Sequence, residues 1–255
     1  MTSLSPSAAL SASPYTAAVR PEAHMTVSPR KLAVITGVCF LITHVTAIGA
    51  PALNGLALNS TASSTGTDTQ LVLAALLEVI LALAVVGTAV ALYPVARRWN
   101  EGAALGYVGL RTLEAGVIAV GVVPLLSLVT LRQSTAGAVD AGATTVLSDM
   151  LVMFYKWTLL IGPGLVCATN TVVMAYVLFS SRLVPRFIPV LGLIGGPLIF
   201  IMTVARMLDG YSQLPAWAAL AVLPIFAWEV SLALWLITKG FRQPALASLT
   251  AVAPV

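Results

Sequence analysis

Six ionisable residues of this 255-residue chain, Glu78, Arg111, Glu114, Lys156, Glu229 and His44, fall inside long apolar runs. A charge near the centre of a bilayer costs at least ~2.5 to 3.5 kcal/mol on insertion scales, so each needs a partner, a proton or a task that offsets the cost. Carboxylates, a guanidinium, an amine and an imidazole held out of water can carry protons, hold a polar small molecule, or neutralise one another. Arg111 and Glu114 are three residues apart, share a helix face and can pair within one element. A second polar face, Lys156, Pro163, Cys167 and Asn170, recurs at helical spacing and points to a bundle interior.

Other chemistries find little support. The chain has no His-Glu-x-x-His metal motif, no Gly-x-Ser-x-Gly nucleophile turn and no Gly-rich phosphate loop. Three glutamates and a histidine could in principle hold a metal, but the Glu-x-x-His spacing of bundle di-metal sites is missing. No catalytic residue, metal ligand or cofactor is assigned, and an enzyme is the weakest of the readings. Cys39 and Cys167 both lie in apolar runs, so neither a disulfide framework nor a paired-cysteine metal site is indicated.

The elements that position these residues follow from composition. With 59% hydrophobic and only 9% charged residues, the chain lacks the polar surface of a water-soluble fold. Six apolar stretches, about 32–53, 71–96, 103–131, 150–179, 187–207 and 216–237, are each long enough to cross ~30 Å of hydrocarbon as a helix. The runs are continuous rather than alternating, which favours helices over a barrel. The expected fold is an all-α polytopic bundle of about six transmembrane helices over 31–242. It is flanked by a disordered Ser/Ala/Pro-rich tail over 1–30 and a short C-terminal tail over 243–255. Met25, just before Arg30 and Lys31, is an alternative start.

Orientation is read from lysine and arginine in alternate connections. Arg20, Arg30, Lys31, Arg97, Arg98, Arg182, Arg186, Lys239 and Arg242 fall on one side, and Arg132 and Arg206 on the other. Nine against two places both termini in the cytoplasm. The basic residues form small groups between spans, without the stripe or aromatic platform of a nucleic-acid binder. Trp217 and Trp235 mark opposite interfaces of the sixth span, and Asn59-Ser60-Thr61 formally matches a glycosylation acceptor.

Pro124, Pro163, Pro197 and Pro224 sit inside spans and predict kinks. Glycines at Gly106 and Gly109, Gly162 and Gly164, and Gly192, Gly195 and Gly196 predict close helix approach. Depths counted at ~1.5 Å per residue pair Glu78 with Lys156 near the outer face and Glu229 with Arg111 near the inner face. Glu114 is left as the extra carboxylate, protonated or bonded to His44.

The stretch Ala91-Leu-Tyr-Pro-Val-Ala-Arg-Arg-Trp-Asn-Glu-Gly-Ala-Ala-Leu-Gly-Tyr-Val-Gly-Leu-Arg-Thr-Leu-Glu114, with Ser181-Arg-Leu-Val-Pro-Arg-Phe187 and Trp235-Leu-Ile-Thr-Lys-Gly-Phe241, resembles a bacterial membrane family catalogued as domain of unknown function 4386. The resemblance covers about residues 30 to 242. It implies a multi-pass protein of the bacterial plasma membrane and supplies no activity and no site.

The functional expectation is therefore a bundle in the lipid bilayer whose polar interior, around Arg111, Glu114, Glu78, Lys156, Glu229, His44 and Asn170, binds or transports a small molecule or protons. The rival is a structural or partner-binding subunit, as a homo-oligomer or with another membrane protein, whose buried charges only specify packing. A cavity reaching Glu114 would distinguish the first from the second.

Overall fold

The computed structural model describes residues 27–58, 65–134, 141–209 and 222–251. The chain through residue 26, including Met25, lies outside the described residues, as do Asn59-Ser60-Thr61 and Trp217. Among the described residues every regular element is helical. They are α1 (Pro29–Leu58), α2 (Thr65–Ala96), α3 (Glu101–Ser134), α4 (Ala141–Leu159), a π-helical segment (Leu160–Val166), α5 (Cys167–Ser181), α6 (Phe187–Leu208), α7 (Val222–Thr238) and α8 (Gln243–Ala251).

Among the described residues, five helical segments are long and apolar enough to cross a membrane: 29–55, 66–96, 101–134, 142–181 and 187–208. The fourth is the continuous rod of α4, the π segment and α5. α7 is a shorter apolar helix of 17 residues; the start of the sixth expected span, 216–221, lies outside the described residues.

Local chemistry sets several helix ends. The Asn100 side chain accepts the Ala103 N–H at 2.8 Å and opens α3, with Glu101 in the first turn where the helix dipole favours a negative charge. Arg182 adopts φ +55° and ends α5, and Pro185 follows before α6 begins. Gly240 at φ +72° does the same after α7, its N–H reaching the Trp235 carbonyl at 3.1 Å. Arg30 donates to the carbonyls of Leu236 at 3.2 Å and Ile237 at 2.6 Å, so the start of α1 supplies the cation that the end of α7 favours.

The helices close into a ring. α1 packs on α2, α2 on α3, α3 on the π segment and α5, α5 on α6, α6 on α7, and α7 returns to α1, while α4 lies against α3. The ring wears its apolar side chains outward: Leu83 is 70%, Val45 69% and Ile201 63% exposed, whereas Glu78, Arg111, Glu114 and Asn170 are buried. A water-soluble fold distributes residues the other way. Polar groups inside and apolar groups outside suit a hydrocarbon solvent.

Small residues let α6 approach its neighbours. A Cβ on Gly195 would stand 2.6 Å from the Ile225 backbone nitrogen, and one on Gly192 2.8 Å from the Trp228 ring. Gly196 meets Val172 and the Ala168 carbonyl, and Gly164 meets Thr203. The expectation fails at Gly106 and Gly109, where an added Cβ would meet nothing within 4 Å, because these positions face away from the ring's contacts. Of the four prolines, Pro163 has the clearest effect. Lacking an N–H, it sits in the π segment, where Cys167 N–H reaches back five residues to the Gly162 carbonyl. Pro124 and Pro197 are carried within continuous α3 and α6, and Pro224 lies in the first described turn of α7. Trp235 is half buried against the core, its indole nitrogen without a hydrogen-bond partner.

Candidate functional site

Arg111 projects from α3 into the ring and is 3% exposed. Its Nε donates to the Tyr107 hydroxyl at 3.1 Å, one turn earlier on the same helix. One terminal nitrogen meets Glu114 at 3.1 Å and the other reaches Glu229 of α7 at 3.3 Å. The Phe40 and Tyr107 rings each stand 5.5 Å from the guanidinium carbon, a distance for cation–π attraction. The guanidinium is thus satisfied by three polar groups and two aromatic faces, as a charge removed from water requires.

The carboxylates are tied in turn to further helices. Asn170 of α5 donates to the same Glu114 oxygen at 2.6 Å, while its own Oδ1 is buried without a partner. His44 of α1 places Nδ1 3.6 Å from Glu229 and 3.0 Å from the Phe40 carbonyl, with Phe226 packed at the edge of its ring. Four helices therefore meet at one guanidinium and two carboxylates. With both carboxylates ionised and His44 neutral, the cluster carries one excess negative charge.

This cluster lines a cavity of about 330 Å³. α1, α2, α3, the π segment, α5, α6 and α7 all contribute to its wall. Arg111, Glu114, Glu229 and His44 form its polar side, and Ile48, Ile118 and Val222 are among its apolar residues. The π segment matters here, because it brings both Pro163 and Cys167 to the same wall.

A second polar centre lies further along the bundle. Tyr155 of α4 donates a hydrogen bond to Glu78 of α2. Asn54 of α1 donates to the Tyr155 oxygen at 2.8 Å and keeps a buried, unpartnered carbonyl oxygen. Along α3, Gly121 packs on Tyr155 and Thr158 and lies seven residues beyond Glu114, roughly 10 Å at helical rise. Leu81, Ala82, Val85, Ala115 and Ile118 form an apolar layer on the facing sides of α2 and α3 between these levels.

The sequence-predicted residues thus separate into two groups. Arg111, Glu114, Glu229, His44 and Asn170 converge, and the Arg111–Glu229 pair forms as the depths implied. Glu78 stands apart and takes its bond from Tyr155, the neighbour of the expected partner Lys156. Lys156 itself is half buried on α4, roughly 100° further round that helix. His44 faces Glu229 rather than Glu114. Tyr107, Phe40, Tyr155 and Asn54 were not singled out by sequence. Only Tyr107 left a signal, since Tyr107, Arg111 and Glu114 recur on one helix face.

The family described as "Domain of unknown function (DUF4386)" matches residues 35–240. No curated protein and no solved structure matches the chain.

Proposed function

The chain belongs to the family of domain of unknown function 4386, and from that membership and the geometry of the ring we propose that it is a multi-pass bacterial plasma-membrane protein that binds, in transport, a small molecule bearing a positive charge or an exchangeable proton. The observation that carries this reading is the position of an over-carboxylated cluster on the wall of a cavity to which every helix of the ring contributes. Two carboxylates against one guanidinium leave a site whose charge is completed by a cation or a proton. In this reading α7 is the sixth span.

Both termini are cytoplasmic in this reading. Two observations support that: the nine-to-two distribution of basic residues, and the gathering of Arg30 with the end of α7 and of Trp99 with Tyr176 of α5 at one end of the ring. The cavity then extends from the Arg111 cluster toward the outer half, since Ile48 and Val222 lie at the opposite ends of α1 and α7 from the basic residues.

Thiol accessibility tests the reading. Glu229→Cys and Ile48→Cys, in a background where Cys39 and Cys167 are alanine, should both react with a membrane-impermeant reagent added from outside. Failure at both positions from either side, with loop cysteines reacting normally, would mean a sealed interior and return the cluster to a packing role.

A further inference from the structure

A separate cleft lies at the basic end of the bundle, away from the central cavity. α5 ends at Ser181, Arg182 turns the chain in the left-handed region, and the Arg242 N–H donates to the Leu183 carbonyl at 2.9 Å. That bond holds the start of α8 against the α5–α6 turn. Between them is a cleft of about 280 Å³ lined by Ser181, Arg182, Arg242, Pro244, Ala245 and Ser248.

Three features of this cleft favour an anion. Arg182 and Arg242 are exposed on its rim, and among the described residues neither is within ion-pair distance of a carboxylate. By contrast, Arg186 nearby lies over the Phe179 ring at 5.0 Å, and Arg30 is spent on α7 carbonyls. Ser181 is 8% exposed and its hydroxyl is buried without any hydrogen-bond partner, an uncompensated donor at the wall of the cleft. α8 also begins here, with Pro244 and Ala245 of its first turn on the cleft wall, so the positive end of its dipole lies at the cleft.

We propose that this cleft is a binding site for a phosphate group. Two guanidinium groups supply planar, bidentate recognition of phosphate oxygens, the Ser181 hydroxyl supplies a neutral donor, and the α8 N-terminus adds the positive end of its dipole. The phosphate belongs either to an anionic phospholipid headgroup of the adjacent leaflet or to a soluble phosphate, and the two share this chemistry. The site stands independently of the proposed transport cavity.

The test uses the full chain in phosphatidylcholine nanodiscs with and without phosphatidylglycerol, reading retained lipid by native mass spectrometry. Arg182→Gln with Arg242→Gln should weaken phosphatidylglycerol retention by about tenfold or more. The charge-matched control, Arg97→Gln with Lys239→Gln at the same end of the bundle, should change it less than about twofold. Ser181→Ala should weaken it by about threefold with the arginines intact. In parallel, inorganic phosphate is titrated against thermal unfolding of the wild-type chain and of the Arg182/Arg242 variant in neutral detergent. Phosphate stabilising only the wild type assigns the site to a soluble ligand; no phosphate effect, with selective phosphatidylglycerol loss, assigns it to lipid. Equal losses in the cleft variant and the control would show general attraction to a basic face, and unchanged binding of both probes in the cleft variant would show no site. Either outcome overturns the proposal.

Discussion

Replacing Arg111 by glutamine should destabilise the protein far more than replacing Glu229 by glutamine, and the reason is the charge count of the cluster. Arg111→Gln removes the guanidinium that faces both Glu114 and Glu229, together with the bond to Tyr107. Two carboxylates are then left close together in a buried site. Removing one partner of a buried ion pair costs about 3 to 5 kcal/mol, and protonation of a carboxylate caps the cost at that level. Glu229→Gln instead leaves Arg111 with Glu114, a balanced pair still bonded by Tyr107 and Asn170. The lost carboxylate is partly exposed, at 13%, so about 1 kcal/mol is expected. In the double variant the second substitution relieves the repulsion left by the first, giving a favourable coupling of about 1 to 3 kcal/mol. Thermal unfolding in one lipid or detergent reads all four corners of the cycle, and the arginine variant alone should fall by roughly 6 to 20 °C. A Glu229→Gln loss as large as that of Arg111→Gln, with no coupling, would refute the argument. A full charge exchange is a poorer test, because a glutamate at 111 would stand beside Glu114.

Other perturbations probe separate parts of the bundle. Gly195→Ala should cost about 1 to 3 kcal/mol in thermal unfolding, since its Cβ meets the Ile225 backbone, which cannot rotate away. Gly106→Ala, with open space around it, should be neutral or stabilising by up to about 1 kcal/mol. Tyr155→Phe strips both Glu78 and Asn54 of a partner and should cost about 1 to 3 kcal/mol; an unchanged melting temperature would count against the second polar centre. Arg30→Gln should weaken the end of α7 by about 0.3 to 1 kcal/mol, seen as faster amide exchange at Lys239 and Gly240 before any global change.

The two polar centres show how far depth along a helix carries an argument. Counting residues from the span ends put Arg111 level with Glu229, and those two side chains meet. The same counting put Glu78 level with Lys156, yet the bond comes from Tyr155. A depth says nothing of azimuth: one residue changes height by only ~1.5 Å but turns the side chain roughly 100° around the axis. The π segment complicates matters after Leu160, because its wider turn shifts the phase of every later residue on that rod. Gly106 and Gly109 illustrate the same point, being spaced for close packing at positions where, among the described residues, an added Cβ would meet nothing within 4 Å.

By itself the sequence determined the helical class, the apolar segments, the family and the presence of charges held away from water. Those properties depend on composition and on spacing along one chain. Ring closure through α7 onto α1, the aromatic faces of Phe40 and Tyr107 around Arg111, and the cavity beside Glu229 were decided by tertiary structure alone. Each depends on the rotation of one helix against another, which is set by side-chain packing between segments far apart in sequence.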